Sequence, residues 1–312
     1  MSQYNLTFTV FTPTFNRAQT LERVYVGLKS QSFRNFEWLI VDDGSTDNTL
    51  KLIKSWQSKS NFPIRYFYQE NAGKHIAYNH GVHLAVGTLF IILDSNDSCV
   101  PEALERFKTH WEQIFEQSKD EFACVSSLCQ DPSGNVIGKA LPQDIVNSDW
   151  LEMYYLYDRW FERWECYRTD VLLSFPFPSI TNTYIPESYL WFQLAKKYKT
   201  RFINESLRIY WNKQPELDKK SIQITRLHPQ KASVGCFFAY QSALNNNLDY
   251  FSRAPIKFLK HGAQFTRYGL HNQMPINQML KNLHSLFAKL IWLCTFPIGI
   301  AFFFKDTLSR KK

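Results

Sequence analysis

The segment FEWLIVDDGSTDNT, residues 36 to 49, changes character halfway. Its first eight residues are an apolar, β-type run that ends in two aspartates. The remainder, GSTDNT, has the composition of a turn followed by a helix cap. Ile53 and Trp56 then mark the inner face of a helix. Working outward, the same unit recurs. LTFTVFT (6 to 12), IRYFYQ (64 to 69), TLFIILD (88 to 94) and FACVSSL (122 to 128) read as further strands, and Leu21, Val24 and Leu28 mark a helix between the first two. Another helix is expected from Pro101, a favoured first-turn residue, with Leu104, Phe107, Trp111 and Ile114 inward. Strands alternating with helices predict an α/β fold: a mostly parallel central sheet flanked by helices. In such sheets ligands sit beyond the carboxyl ends of the strands.

After about residue 130 the pattern loosens into a turn, DPSGN, and the aromatic stretch WLEMYYLYDRWFERWECYRTD. A helix is expected from about Pro186 to Tyr198, and three or four more fill 229 to 304, with Pro229 and Pro255 near starts and a break at Met274-Pro275. This predicts a domain over 1-225, with halves of about 1-130 and 131-225, and a helical C-terminal region over 226-312.

The net charge of +8 is uneven. From Arg253 onward there are ten Lys or Arg and one acid, Asp306, so the rest of the chain sums to about −1. Inside that basic tail lies LFAKLIWLCTFPIGIAFFF, Leu286 to Phe304. It approaches the roughly 20 apolar residues of a membrane span. Lys289 and Pro297 argue equally for a segment lying in the bilayer interface, and the bland alternative is a buried C-terminal helix packed on the core, disfavoured because a soluble helix should show a polar face. The expected partner of 286-312 is the inner-membrane surface, not nucleic acid, because an apolar run within a basic tail suits lipid better. The N-terminus lacks the pattern of a secretory signal. The six cysteines are scattered without zinc-ligand spacing. Both observations place the bulk of the chain in a reducing cytoplasm, at the membrane's cytoplasmic face.

Four polar clusters fall at successive strand ends: TPTFNR (Thr12 to Arg17), DDGSTDNT (Asp42 to Thr49), NAGKHIAYNHG (Asn71 to Gly81) and DSND from Asp94. Each alone is an ordinary turn. Their order and spacing, with IPESYLWFQLAKKYK and RIYW further on, resemble the family-2 glycosyltransferases of GT-A fold over roughly the first 200 residues. The wording is most similar to the branch that builds bacterial surface polysaccharides.

That resemblance implies a pocket for a nucleotide sugar, of UDP type. Thr12, Pro13, Thr14 and Phe15 would form its edge, and Asp43 beside Asp42 would accept from base or ribose. Gly73 and Lys74 would let the backbone and a cation approach the nucleotide, with His75 and Asn79 on the same wall. Arg17 would serve either a phosphate or a helix. Asp94 and Ser95 would face the sugar nucleotide, and Asp94, Asn96 and Asp97 correspond to the family's metal-binding element, for Mn2+ or Mg2+. Asn96 stands where a carboxylate is usual. An amide oxygen can coordinate a hard cation but brings no charge, so Asp97 is expected to assist.

The acceptor hydroxyl needs a base, and the family's position for it holds Glu187, followed by Ser188. The reaction implied is inverting transfer to a glycan acceptor, which the apolar tail suggests is lipid-linked. Trp160 and Trp164 lie where the family builds its acceptor wall, although core packing explains aromatics there equally. The processive signature QxxRW is missing, which implies single-sugar addition. A nucleotidyltransferase is disfavoured because FTPTFNR is not a Gly-rich phosphate loop. The competing reading is a catalytically degenerate, membrane-bound sugar-nucleotide binder, motivated by Asn96 and Ser188.

Overall fold

The computed structural model describes residues 6–157, 162–181, 183–211 and 229–308, which fall into two compact units. The first takes 6–153, 162–179 and 192–211; the second takes 154–157, 180–181, 183–191 and 229–308. The boundary expected at 225 lies outside the described residues.

The first unit opens as the sequence predicts. β1 (Leu6–Thr14), α1 (Leu21–Lys29), β2 (Phe36–Asp43), α2 (Thr49–Gln57), β3 (Ile64–Gln69), α3 (Lys74–Leu84) and β4 (Gly87–Ile92) alternate, and β1 pairs in parallel with both β2 and β4. The short β5 (Ser98–Cys99) leads to α4 (Ala103–Ser118) and β6 (Phe122–Gln130). Then come β7 (Val136–Ile137), β8 (Ile145–Ser148), α5 (Trp150–Tyr155), β9 (Arg163–Arg168), α6 (Thr169–Leu172), α7 (Ser188–Leu194) and β10 (Lys199–Ile209). Among the described residues the sheet order is β3-β2-β1-β4-β9-β6-β10-β5.

β9 is the departure from the expected loosening. It lies antiparallel between β4 and β6, so the sheet is mixed at its centre. The sequence RWECYR hides it because charged residues sit in a buried strand. Arg163 is only 5% exposed, yet it is satisfied by the Ser126 hydroxyl and the Ser126 and Ile203 carbonyls. The helix expected over 186 to 198 is shorter than predicted. Residues after Leu194 close with turn bonds to its carbonyl and pass into β10.

The core fills from alternate strand positions: Phe8 and Val10 of β1, Trp38 and Ile40 of β2, Leu89 and Ile91 of β4 pack with Val24 and Leu28 of α1 and Trp111 of α4. Burial at about 25 cal/mol per Å² of apolar surface holds these layers together. Gly87 has a packing reason: a Cβ there would sit 2.3 Å from the Phe8 carbonyl carbon across the β1–β4 pair.

The second unit holds α8 (Ser233–Asn246), α9 (Pro255–His271), α10 (Ile276–Lys281) and α11 (Leu286–Leu308). Proline starts α9, as expected, and Pro297 leaves α11 continuous. α9 and α11 run side by side in the same direction. Gly262 lies against Thr295 and Gly299 against Thr266, so small residues let the backbones approach. Trp292 donates to the Thr266 hydroxyl at 2.9 Å, and Arg267 grips Asp306 with two bonds of 2.6 and 2.7 Å.

Candidate active site

The carboxyl ends of β1, β2 and β4 and the start of α3 come together in the first unit, and each predicted cluster contributes. Thr12 and Thr14 are buried. The Thr12 hydroxyl accepts from the Trp38 indole at 2.9 Å, and the Thr14 hydroxyl has no partner among the described residues. Pro13 is buried beside them and Phe15 stands 46% exposed at the rim.

Asn16, which sequence reasoning passed over, clasps the next cluster. Its side-chain oxygen accepts from the Thr46 and Asp47 amides, and its own amide donates to the Ser45 hydroxyl. The backbone there has φ 53°, a left-handed conformation that Asn tolerates better than most residues. That tolerance, at the end of a strand, was the available signal.

At the end of β2, Asp42 accepts from the Ser45 amide and the Tyr66 hydroxyl. Asp43 accepts from the Ala72 and Gly73 amides, both at 2.9 Å, and from the Gln69 side chain at 2.8 Å. Its first duty is therefore to hold the loop that opens α3. Gly73 has φ 108°, which explains the glycine.

Lys74 follows and reaches the end of β4, with its ammonium 2.8 Å from the Asp94 carboxylate and both side chains partly exposed. Burial pushes the Asp94 carboxyl up. The Lys74 ammonium, then the Arg208 and Arg17 guanidiniums, outweigh that and hold it at about 2.

Asn79, expected on the nucleotide wall, engages a neighbouring segment. Its amide group donates to the Phe177 carbonyl at 2.8 Å and accepts from the Phe177 amide at 2.9 Å, a reciprocal clamp on a neighbouring segment. His75 is buried, its ring edge-on to Phe177.

Ser95 is buried and its carbonyl accepts from Thr20. The Asn96 carbonyl accepts from Arg23, which stacks over Trp211 with 4.4 Å to the ring centre. Asp97 corrects the expectation that it assists a metal. It is fully buried, one oxygen takes two nitrogens of Arg208 at 2.8 and 2.6 Å, and the other takes the Trp211 amide at 3.0 Å. Burial opposes the charge on Arg208, but Asp97 holds its protons well beyond the ordinary guanidinium range. Arg208 is the second residue missed, although it belongs to the RIYW stretch.

The expected Mn2+ or Mg2+ would therefore find Asp94 and the neutral Asn96, with Asp97 already committed. Among the described residues no three His, Cys, Asp or Glu side chains group as a metal cage. This donor set does not fit a site built on paired carboxylates.

Trp164 corrects the acceptor wall. It is 1% exposed, donates to the Ile92 carbonyl at 2.6 Å and packs edge-on to Phe107, so no sugar reaches it. Trp160 lies outside the described residues. Glu187, in the second unit, is half-buried directly before α7, and its carbonyl accepts from the Leu190 and Trp191 amides.

Residues 9–120 match the family described as Glycosyl transferase family 2. An uncharacterized glycosyltransferase of Escherichia coli, YibD, is 26% identical over 243 residues, covering 70% of this chain and 69% of that protein. A Campylobacter jejuni protein named GalNAc(5)-diNAcBac-PP-undecaprenol beta-1,3-glucosyltransferase is 28% identical over 210 residues, 64% of this chain and 63% of its own, slightly under two thirds. Among solved structures, S. aureus TarS 1-349 in complex with UDP-GlcNAc superposes with a TM-score of 0.59 at 17% identity, covering 98% of this chain and 92% of that one. The Pyrobaculum calidifontis mannosyltransferase PcManGT, in complex with GDP-Man and Mn2+, gives 0.59 at 14% identity, covering 98% and 87%. These two likenesses show the fold, which is the expected GT-A type. Residues 9–120 therefore carry a glycosyltransferase family 2 domain, and with the named glycosyltransferases it resembles the chain is a sugar-transferring enzyme.

Proposed function

We propose that this enzyme moves one sugar, with inversion, from a UDP sugar to a lipid-linked glycan acceptor in bacterial surface-polysaccharide synthesis, working at the cytoplasmic face of the membrane. The observation that carries the donor half is the hydrogen-bonded ring of strand ends: Asn16 to Thr46, Asp43 to Gly73, Lys74 to Asp94. A nucleotide diphosphate needs polar groups for base and ribose and positive charge for phosphate, and these residues bring both to one sheet edge.

The acceptor hydroxyl would pass its proton to the Glu187 carboxylate as its oxygen bonds the anomeric carbon. The bond from that carbon to the UDP oxygen breaks on the opposite face, and UDP leaves with the electron pair. Glu187→Gln is expected to lower kcat by about a hundredfold to ten-thousandfold while UDP binding persists. UDP release from a panel of UDP sugars, with bacterial membrane extract as acceptor, measures this. No turnover with any donor despite UDP binding would favour the degenerate binder, and a Glu187→Gln variant at wild-type rate would remove the base.

Support for the membrane comes from α11, the described helix that is long and apolar enough to cross a bilayer, with mean hydropathy 1.9 over its best window and 28% of that window buried. Leu286, Leu290, Leu293, Ile298 and Phe302 stay exposed along it. A transmembrane course would drag along the parallel α9, which carries Lys257, Lys260 and Arg267. Charges are expensive at bilayer depth. The pair instead suits the interface, with the apolar stripe in lipid and lysines toward anionic headgroups. Co-sedimentation with vesicles containing phosphatidylglycerol, lost with phosphatidylcholine alone or on Leu290→Asp with Leu293→Asp, is the expected result. Membrane retention after carbonate extraction would instead indicate a span.

A further inference from the structure

The loop after β4 is where a bound nucleotide's phosphates would need positive charge, and its electrostatics run opposite to those of a metal site. A divalent ion is held by anionic oxygens that face it. Here Asp97 spends one oxygen on Arg208 and the other on the Trp211 amide, with no exposed surface left. Asn96 carries no charge. Asp94 remains, and what faces it is cationic: Lys74 at 2.8 Å and Arg208 at 3.5 Å, with the half-buried Arg17 close enough to act on its carboxyl.

Lys74 is also placed to serve a phosphate. It is the first residue of the 11-residue α3, where the helix dipole adds positive potential, and it follows Gly73, whose missing side chain leaves the backbone open. Its ammonium keeps access to solvent while paired. We propose that the ammonium of Lys74 neutralises the donor's diphosphate in place of a divalent cation, so that nucleotide binding needs neither Mn2+ nor Mg2+. This rests on the nucleotide-sugar reading above. Asp94 holds Lys74 at the site until the diphosphate competes for it.

Calorimetric titration of the full chain with UDP, GDP and dTDP, in metal-stripped buffer with EDTA and again with excess Mn2+, tests it directly. For the nucleotide that binds, the wild-type affinity should differ by less than about threefold between the two buffers. Lys74→Met, with its fold checked by circular dichroism, should lose about tenfold or more in EDTA, as expected for a charged hydrogen bond. Asn96→Asp, which adds a carboxylate beside Asp94, should gain about tenfold on Mn2+ addition. A wild-type affinity about tenfold higher with Mn2+ would overturn the proposal, as would a Lys74→Met variant that binds normally in EDTA. An Asn96→Asp variant indifferent to Mn2+ would overturn the assignment of Asn96 as the missing ligand. If none of the three nucleotides binds in either buffer, the nucleotide-sugar reading falls and takes this inference with it.

Discussion

The end of β2 and the loop after β4 each carry a pair of aspartates, and the two pairs are satisfied by different chemistry. Asp42 and Asp43 meet neutral donors: backbone amides, a tyrosine hydroxyl and a glutamine amide. Asp94 and Asp97 meet Lys74 and Arg208. Neutral donors are directional, so the first pair sets the path of the backbone around Gly73. The second pair sets charge. It fixes where cations stand beside the sheet edge proposed to hold the nucleotide, and it commits one carboxylate, Asp97, to an arginine that the fold has buried.

That difference predicts unequal costs of truncation. Asp97→Ala would leave Arg208 charged and 6% exposed, with only the longer contacts to Asp94 at 3.5 Å and Glu162 at 3.4 Å in place of its two short bonds to Asp97. Breaking a buried pair from one side costs about 3–5 kcal/mol, so urea unfolding should show the largest loss here. Asp43→Ala would orphan the Ala72 and Gly73 amides and the Gln69 side chain, which water can partly rescue at this half-exposed loop. A loss of about 1–3 kcal/mol is expected. Equal losses for the two variants would erase the distinction between a directional cluster and an electrostatic one.

Much of the first cluster was legible in the sequence, and little of the second. The strands 36 to 43 and 64 to 69 appear where the apolar runs place them, because period and turn residues are local signals. The Asp97–Arg208 pair joins residues 111 positions apart, and no local pattern announces it. It depends on β10 passing beside β5, antiparallel, after a chain course that the aromatic stretch obscured. β9 was hidden for a related reason. Its Arg163 and Arg168 look like surface residues until Ser126, Ile203 and Asp170 are seen to satisfy them. Trp164 was ambiguous for the opposite reason, since an aromatic ring suits a sugar or a core equally well. Trp164→Phe should cost about 1 kcal/mol for the lost bond to Ile92, with the acceptor KM unchanged. A raised KM with unchanged stability would return it to the acceptor wall.

The smallest effect belongs to the Asp94–Lys74 pair, because its 31% exposed carboxylate is screened by solvent. In the unfolded chain Asp94 titrates as an ordinary carboxylate near 4, while in the folded protein its neighbours hold it at about 2. The folded state thus binds the proton more weakly, and the pair stabilises fully above about pH 4, where both states are ionised. Between about pH 4 and 2 the unfolded chain takes up the proton first and the contribution drains away. The wild type should exceed Asp94→Asn in urea midpoint by a small, constant margin from neutral pH down to about 4, and the margin should shrink below that. A margin that is absent at neutral pH, or that grows as the pH falls from about 6 to 4, would place the carboxyl outside the reach of Lys74. The contrast between the two loops would then reduce to Asp97 alone.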